Sequence, residues 1–303
     1  PSGCMGGSMT STPFGRVLTA MVTPMHPDGS LDEAGAVALV EHLLATGHDG
    51  IVVNGTTGES ATLTSQESLA MVALVVRTVA GRAKVVAGVG SNDTRHAIDM
   101  ARGAASAGAD AALLVSPYYN KPTQPGLIAH CRAVADATDL PVMLYDIPSR
   151  TGIPFATETL VALAEHPRIV AVKDAKGDQW AATTVMRDTD LLWYSGADED
   201  NLALLALGAT GVVSVVGHVA GERYAAMVAA VDRGDLVEAR GIHQDLVPTV
   251  EALMHTSQGA IMAKAALVEL GVIASAAVRL PLVEGPPEHL ARLRDGMRAA
   301  GLL

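Results

Sequence analysis

The sequence is poor in aromatic residues and in basic charge, and the shortage of basic charge excludes classes of function. Only 3% of the 303 residues are aromatic, and five of these are tyrosines. Twenty-one basic residues stand against 32 acidic ones, which gives a formal net charge of −11. Such a balance offers no basic patch for nucleic acid and no polybasic anchor for a membrane. A small-molecule partner fits this chain better.

Cysteine and long apolar stretches are also scarce. Cys4 and Cys131 lie too far apart to indicate a disulfide framework or a zinc site, and the ten histidines show no HExxH or HxH spacing. We therefore expect no metal, a reducing cytoplasm and, because no apolar run reaches the ~18 residues of a membrane span, no transmembrane segment. The opening "PSGCMGGS", residues 1–8, lacks the features of a signal peptide and is interpreted as a non-native remnant before Met9.

Eight short apolar runs recur along the chain, with helical patterns between them. Each run is continuous rather than alternating, which is typical of strands buried on both faces of a parallel sheet. Between the runs, apolar residues return at helical spacing, as at Leu69, Val72 and Val76. Repeated strand–helix units of this number predict the α/β class and a (β/α)8 TIM barrel. The runs begin at residues 17, 50, 84, 111, 141, 169, 191 and 211.

Local signals mark one helix start and extend the helical pattern past the barrel. Thr64 in "LTSQE" stands at a predicted N-cap, with Glu67 three residues later as its capping-box partner. Beyond Gly217, helical patterns occur in "LVEARGIHQDLVPTVEALM", "AIMAKAALVELG" and "PEHLARLRDGMRAA". We predict a barrel over residues 9–233 and an additional C-terminal helical layer, residues 234–303, packed on it.

The sixth run, "RIVAVKDAKG", places Lys173 where the next buried residue should fall. In a barrel of this kind the reactive end is formed by the loops after the strands, so this lysine is expected at the mouth of the barrel. Partial desolvation there lowers the pKa of an amine toward that of a usable nucleophile. A neutral amine can condense with a ketone, and the imine then supports aldol chemistry. A lysine that extends to the rim and pairs with Asp174 or another carboxylate there is an equally open alternative.

Hydroxyl groups are the available proton carriers near this lysine. Tyr145 ends the fifth run, where its phenol can either exchange protons with an intermediate or pack in the core. The loop "NGTTGES" supplies Thr56 and Thr57, which can hold a carboxylate, although many such loops only turn the chain. Arg150 in "SRTG" can clamp a carboxylate or lie on the surface. His218, after the eighth run, is interpreted as mainly structural.

Seven motifs in fixed order resemble one known family. They are "TAMVTP", "GTTGES", "VSPYYNKP", "LYDIPSRTG", "VKDAKGD", "YSGADE" and "GVVSV", and they run from about residue 19 to residue 217. Together they are similar to the dihydrodipicolinate synthase family of the pyruvate-dependent Schiff-base aldolase superfamily. The resemblance implies a lyase of the diaminopimelate and lysine pathway that condenses pyruvate with L-aspartate 4-semialdehyde, without a cofactor.

The resemblance also implies roles for individual residues. Lys173 forms the imine with pyruvate, and the hydroxyls of Thr57, Tyr145 and Tyr119 relay protons. Tyr119 reaches the site of a neighbouring subunit, which implies a homo-oligomer, usually a tetramer built as a dimer of dimers. The residues expected to contact substrate are Thr56 and Thr57 at the pyruvate carboxylate, Arg150 at the semialdehyde carboxylate, Gly196 in the pocket wall and the Val213 carbonyl facing the imine.

Some members of this family are inhibited by lysine at a pocket between subunits. Ser60, Ala61, Asn92 and Tyr118 match the positions that build this pocket. His96 stands where sensitive members have a glutamate, and Ser65 and Ser68 stand where they have histidines. A cationic ligand would lose its carboxylate partner here, so we expect lysine inhibition to be weak or absent.

Three other functions remain open at this stage. The first is a pyruvate-releasing aldolase that cleaves N-acetylneuraminate or a 2-keto-3-deoxy sugar acid, although the Arg150 motif "PSRTG" favours the synthase branch. The second is a phosphate-binding isomerase barrel, with Gly196 and Gly217 near the usual phosphate loops. The third is a catalytically silent binding barrel, which the presence of Lys173, Tyr145, Thr57 and Tyr119 together disfavours.

Overall fold

The computed structural model describes residues 12–303, so the predicted remnant at residues 1–8 lies outside the described residues. Eight parallel strands close into a barrel in chain order, and β1 pairs with β8. Every predicted strand is confirmed, because each continuous apolar run is buried on both faces. The strands are β1 Val17–Ala20, β2 Gly50–Val53, β3 Lys84–Gly88, β4 Ala111–Val115, β5 Val142–Asp146, β6 Ile169–Asp174, β7 Leu192–Ser195 and β8 Gly211–Ser214.

Helices follow the strands and cover the outside of the barrel. The predicted capping box is confirmed at the second helix, where Thr64 and Glu67 bond each other's backbone N–H groups. The helices are α1 Glu33–Ala45, α2 Ser65–Val79, α3 Thr94–Ser106, α4 Gln124–Asp136, α5 Pro148–Thr151, α6 Thr157–Ala164, α7 Gln179–Asp188, α8 Asn201–Ala206, α9 Gly217–Asp232, α10 Leu236–Met254, α11 Gly259–Glu269 and α12 Pro287–Ala299.

Side chains of the strands alternate between the barrel interior and the helix layer. Met143 and Ala171 belong to a buried cluster inside the barrel, whereas Val172 packs in the larger cluster under the helices. Because neighbouring residues of a strand face opposite sides, Lys173 shares the interior side with Ala171. Tyr145 shares it with Met143. The alternation therefore places both side chains inside the barrel, at the carboxyl ends of β5 and β6.

The last three helices form the expected C-terminal layer. α10 packs against α9 and α12, and α11 contacts α9, α10 and α12. Thr249 donates to the carbonyl of Gly296 at 3.1 Å, and a side chain at Gly296 would collide with Ala252 and the Pro248 carbonyl. The division into residues 9–233 and 234–303 stays a prediction. Within residues 12–303, no helix is both long and apolar enough to cross a membrane.

Candidate active site

The strand register brings Lys173 and Tyr145 side by side. The two residues are Cα partners between β5 and β6, and Tyr194 of β7 is the partner of Lys173 on its other side. The Nζ atom of Lys173 lies 4.0 Å from the centroid of the Tyr145 ring. The neighbouring positions that the sequence indicated for Lys173 and Tyr145 are therefore present in the structure.

Lys173 is buried, and no acidic side chain of the described residues pairs with it. Its side chain is only 5% exposed, and within residues 12–303 it forms no ion pair. Asp174 is occupied elsewhere, since it accepts from the indole N–H of Trp193 at 3.1 Å and from the backbone N–H of Lys176 at 2.8 Å. A rim lysine paired with Asp174 is thus excluded. Burial lowers the pKa of Lys173 to about 7; the negative charge of Asp198 opposes this shift and Arg150 adds to it.

Gly196 fits against the aliphatic part of Lys173. A Cβ atom at this position would lie 2.8 Å from Cγ and 3.0 Å from Cε of Lys173. The backbone N–H of Gly196 donates to the carbonyl of Asp174 at 2.7 Å, so the loop cannot move away without losing that bond. Position 196 therefore needs glycine to keep the amine where it is.

Tyr145 remains a protonated phenol at neutral pH. Burial raises the pKa of its hydroxyl to about 12, and the nearby charge of Arg150 opposes the shift. A protonated phenol can donate a hydrogen bond to an oxygen that develops next to the lysine amine. Arg150 itself is exposed on α5, the short helix that follows β5.

The loop after β2 holds its two threonines in different environments. Thr57 is buried, whereas Thr56 is exposed. The loop is closed by backbone bonds, from the Gly58 N–H to the Gly55 carbonyl at 3.0 Å and from the Glu59 N–H to the Thr56 carbonyl at 3.1 Å. The hydroxyl of Thr23, three residues after the end of β1, donates to the Gly58 carbonyl at 2.7 Å.

A cavity of about 370 Å³ opens beside this loop. It brings together two of the predicted substrate contacts and four of the five residues predicted for an inhibitor site; Asn92 does not line it. The backbone carbonyl of Asn92 instead accepts from the side chain of Asn120 at 2.8 Å. Lys173, Tyr145 and Thr57 do not line the cavity either. The predicted residues on its wall are Thr56, Arg150, Ser60, Ala61, His96 and Tyr118.

Tyr119 is not part of the buried group in a single chain. Its side chain is 88% exposed, and its backbone has φ of +74°. A left-handed backbone is unfavourable for a large side chain, so surrounding contacts have to maintain it. One such contact is a bond from the Tyr119 N–H to the Thr151 carbonyl, at 3.4 Å.

The carboxylate of Asp198 has a place in the site that the sequence did not reveal. It accepts from the Ser214 hydroxyl and from the backbone N–H groups of Val215 and Val216, the latter two at 2.9 Å. These bonds fix the chain directly after Val213, which is buried inside the barrel. The only signal was an acidic residue after a strand, within "YSGADE", and that pattern does not distinguish a buried carboxylate from a solvated one.

His218 has the structural role that was expected of it. Its Nε2 accepts from the backbone N–H of Val22 at 3.0 Å, and its Nδ1 lies 2.7 Å from the Val215 carbonyl. Burial lowers the pKa of the imidazole to about 3, so it stays neutral and cross-links the segment after β1 to the start of α9.

A closed eight-stranded barrel has, at its carboxyl edge, a buried lysine with no ion-pair partner in the part of the chain that the structure describes. These features define the class of protein, an α/β barrel with an enzyme-like site. The sequence profile of the Dihydrodipicolinate synthetase family matches residues 13–300. The chain belongs to this family of enzymes.

Named relatives are similar over nearly the whole chain. The 4-hydroxy-tetrahydrodipicolinate synthase of Kineococcus radiotolerans is 55% identical over 96% of this chain and 94% of its own. That of Acidothermus cellulolyticus is 54% identical over 98% of this chain and 96% of its own.

Solved structures of the family superpose closely. The enzyme of Cyanidioschyzon merolae with lysine bound has a TM-score of 0.94 at 45% identity, covering 97% of this chain and 100% of its own. The chloride-inhibited dihydrodipicolinate synthase of Acinetobacter baumannii complexed with pyruvate has a TM-score of 0.92 at 37% identity, covering 96% and 100%.

Proposed function

We propose that the chain is a 4-hydroxy-tetrahydrodipicolinate synthase, a carbon–oxygen lyase by classification, that condenses pyruvate with L-aspartate 4-semialdehyde. The observation that carries the proposal is the buried amine of Lys173, which has no counter-ion among residues 12–303 and lies 4.0 Å from the ring of Tyr145. The names of the similar proteins and the pyruvate complex of the Acinetobacter baumannii enzyme support it.

Covalent chemistry at Lys173 follows from its lowered pKa. With a pKa of about 7, roughly half of the amine is neutral at pH 7 and can attack the keto carbon of pyruvate. The carbinolamine loses water to give a protonated imine, and loss of a methyl proton then gives an enamine. The enamine carbon attacks the aldehyde carbon of the semialdehyde: the carbonyl π bond breaks, its oxygen takes a proton to become a hydroxyl, and the imine at Lys173 re-forms. Lys173 is released when water, or the amino group of the product, displaces it.

The hydroxyl groups move the protons of these steps. Tyr145 donates to the oxygen that leaves the carbinolamine, because its phenol is buried and protonated. Thr57, also buried, passes the proton onward. Tyr119, 88% exposed in one chain, serves the site of a neighbouring subunit. We therefore propose a homo-oligomer, a dimer or a tetramer built as a dimer of dimers.

The two substrate carboxylates bind at different residues, of which Thr56 and Arg150 line the same cavity. Thr56 and Thr57 hold the carboxylate of pyruvate, and Arg150 holds that of the semialdehyde. Gly196 leaves room beside the amine, and the Val213 carbonyl faces the imine. No cofactor is required, since the imine itself is the electron sink.

Two further expectations belong to this proposal. Lysine inhibits weakly or not at all, because His96, Ser65 and Ser68 give an ammonium ligand no carboxylate partner among them. The location of the enzyme is the cytoplasm.

Borohydride trapping tests the proposal. Incubation with pyruvate and borohydride should add a reduced pyruvate adduct to the peptide containing Lys173, as detected by mass spectrometry. Lys84, at the start of β3 and paired with Asp110 at 3.1 Å, is the control and should stay unmodified. Absence of an adduct at Lys173 would contradict the proposal. Turnover of N-acetylneuraminate rather than of pyruvate with the semialdehyde would favour the sugar-acid aldolase.

A further inference from the structure

A second lysine is buried in the C-terminal layer. The buried residues of α11 are apolar except for Lys264, whose side chain is 0% exposed. Its Nζ atom donates to Oε1 of Glu59 at 2.5 Å and to the Ala277 carbonyl at 2.6 Å. Glu59 follows the Thr56–Thr57 pair by two residues, so this ion pair joins the last quarter of the chain to the loop that we propose to bind pyruvate.

The same carboxylate makes a second bond to the C-terminal layer. Oε2 of Glu59 accepts from the backbone N–H of Arg279 at 2.9 Å. Glu59 itself has a left-handed backbone, with φ of +58°, and its N–H donates to the Thr56 carbonyl at 3.1 Å. A non-glycine residue keeps such a conformation only where its surroundings fix it, and both oxygens of this side chain are fixed.

Arg279 also bonds to the segment that follows Glu59, up to Glu67. Its guanidinium donates to the Thr62 carbonyl at 2.8 Å and to both oxygens of Glu67, at 2.8 and 2.6 Å. Glu67 is also the capping-box residue of α2. The chain from Glu59 to Glu67 is therefore held at both ends by residues more than 200 positions away.

Stability alone does not account for a fully buried ion pair. Two apolar residues of similar volume stabilise a core as well or better, because they carry no desolvation penalty. The charged pair instead fixes geometry. Because the Lys264 ammonium bonds to two acceptors at fixed positions, the Glu59 carboxylate has one position, and the loop backbone attached to it has one conformation. An apolar pair of the same size would allow the loop to shift.

We propose that Lys264 and Glu59 are positioning residues, through which the C-terminal layer holds the Thr56–Thr57 loop in the shape that binds the carboxylate of a keto acid. This inference rests on the proposed function. It assigns no contact between Lys264 or Glu59 and the substrate. It gives the C-terminal layer a role in substrate affinity.

The test is the double variant Lys264→Met/Glu59→Gln, which removes both charges and leaves an acceptor for the Arg279 N–H. The measurement is the pyruvate concentration that gives half-maximal borohydride trapping at Lys173, together with KM and kcat. We expect the half-maximal concentration and the KM for pyruvate to rise about tenfold, while trapping at saturating pyruvate and kcat change by less than threefold. Tenfold corresponds to the weakening of about one hydrogen bond.

The matched control breaks another ion pair of the same helix. Glu269 in α11 pairs with Arg294 in α12 at 2.7 Å and is partly exposed. The variant Arg294→Met/Glu269→Gln should leave the pyruvate dependence of trapping unchanged. If it raised the half-maximal concentration as much as the Lys264 and Glu59 variant does, general loosening of α11 would explain both results and the proposal would be overturned.

Folding and function are separated by two further measurements. Thermal unfolding shows whether the double variant is folded. If it is not, Glu59→Gln alone, which removes the charge and replaces one of the two acceptor oxygens by an NH2 group, is expected to raise the half-maximal pyruvate concentration at least threefold. A folded variant with unchanged pyruvate dependence would overturn the inference and leave the proposed function intact. Failure of the unmodified protein to be trapped at Lys173 would instead overturn the proposed function.

Discussion

Two buried lysines interrupt apolar segments of this chain, and they differ in whether a carboxylate pairs with the amine. Lys173, at the end of β6, is 5% exposed and has no carboxylate partner among residues 12–303. Lys264, inside α11, is 0% exposed and is bonded to Glu59 and to the Ala277 carbonyl. Burial lowers the pKa of both amines, but only at Lys264 does the attraction of a directly bonded carboxylate oppose it.

The difference teaches how a buried lysine can be interpreted. An ionised side chain that is removed from water needs a partner of opposite charge. Without one, burial shifts the pKa of the group until its neutral form is populated. The chain provides a partner for Lys264, and the result is a fixed cross-link. It directs Asp174, the carboxylate closest to Lys173 in sequence, toward Trp193 and the backbone of Lys176. The amine left unpaired is the one with usable chemistry.

Replacement of Lys173 by methionine should have the largest effect on activity. Without the amine no imine forms, and we expect kcat/KM to fall by at least about 10⁴-fold, which corresponds to about 5 kcal/mol of transition-state stabilisation. Steady-state assays with pyruvate and the semialdehyde measure this loss. Lys84→Met, at the opposite end of the barrel, should keep full activity. Residual activity above one hundredth in Lys173→Met would contradict the covalent mechanism.

Unfolding experiments on the two lysines should give changes of opposite sign. The pKa of Lys173 is about 7 in the folded protein and near 10.5 in the unfolded chain. The unfolded chain therefore binds more protons between these pH values, and the amine lowers stability below pH 10.5, most strongly below pH 7. Lys173→Met should raise the free energy of unfolding at pH 7 by up to about 4 kcal/mol.

Lys264→Met should lower the free energy of unfolding by about 3–5 kcal/mol, because it leaves the carboxylate of Glu59 buried and unpaired. Denaturant titration at pH 7 compares both variants with the unmodified protein. If Lys173→Met lowered the free energy of unfolding as Lys264→Met does, Lys173 would contribute a contact needed for folding. That result would contradict the predicted difference in sign between the two lysines.

Replacement of Tyr145 by phenylalanine removes a proton donor from beside Lys173. General acid–base groups contribute roughly 10²–10⁴-fold, and we expect kcat to fall about 10³-fold with little change in stability. Tyr194, the neighbour of Lys173 on β7, provides the matched control. Its hydroxyl donates to the Gly15 carbonyl at 2.8 Å, so Tyr194→Phe should lose about 1 kcal/mol of stability and retain activity. Equal losses of activity in both variants would assign no special role to Tyr145.

Much of the fold could be predicted from the sequence because its signals are local. Eight continuous apolar runs indicated eight buried strands, and the Thr64–Glu67 capping box needed only four residues of context. The adjacency of Lys173 and Tyr145 followed from the order of strands in a barrel. Each of these depends on contacts between near neighbours or on a regular repeat.

The remaining features depend on partners that are distant in the chain. Whether Lys173 would pair with Asp174 was open until the position of Trp193 was known, 19 residues beyond Asp174. The pair of Lys264 and Glu59 joins residues 205 positions apart. Its one signal was a single lysine in "AIMAKAALVELG", the same signal that singled out Lys173. Such a residue indicates a buried amine, but tertiary structure decides whether that amine is paired.

Gly196 offers a way to disturb Lys173 without changing its chemistry. A methyl group at this position would contact Cγ and Cε of Lys173 at 2.8 and 3.0 Å and would force the side chain to move. Misplacement of a reacting group by about 1 Å costs roughly 10²-fold, and we expect that loss of kcat in Gly196→Ala. Gly241 in α10 has open space around its Cβ position, so Gly241→Ala should be fully active. Normal trapping and turnover in Gly196→Ala would show that Lys173 tolerates displacement.

The pH dependence of imine formation should show the smallest effect and the most specific one. Only the neutral amine attacks, so the rate of single-turnover trapping should rise about tenfold per pH unit below pH 7 and become constant above it. The negative charge of Asp198 raises the pKa of Lys173, so Asp198→Asn should move the midpoint to lower pH. Lys264→Met/Glu59→Gln should leave the midpoint unchanged, because the paired lysine takes no part in the attack. A midpoint near pH 10 in the unmodified protein would mean that burial does not activate Lys173.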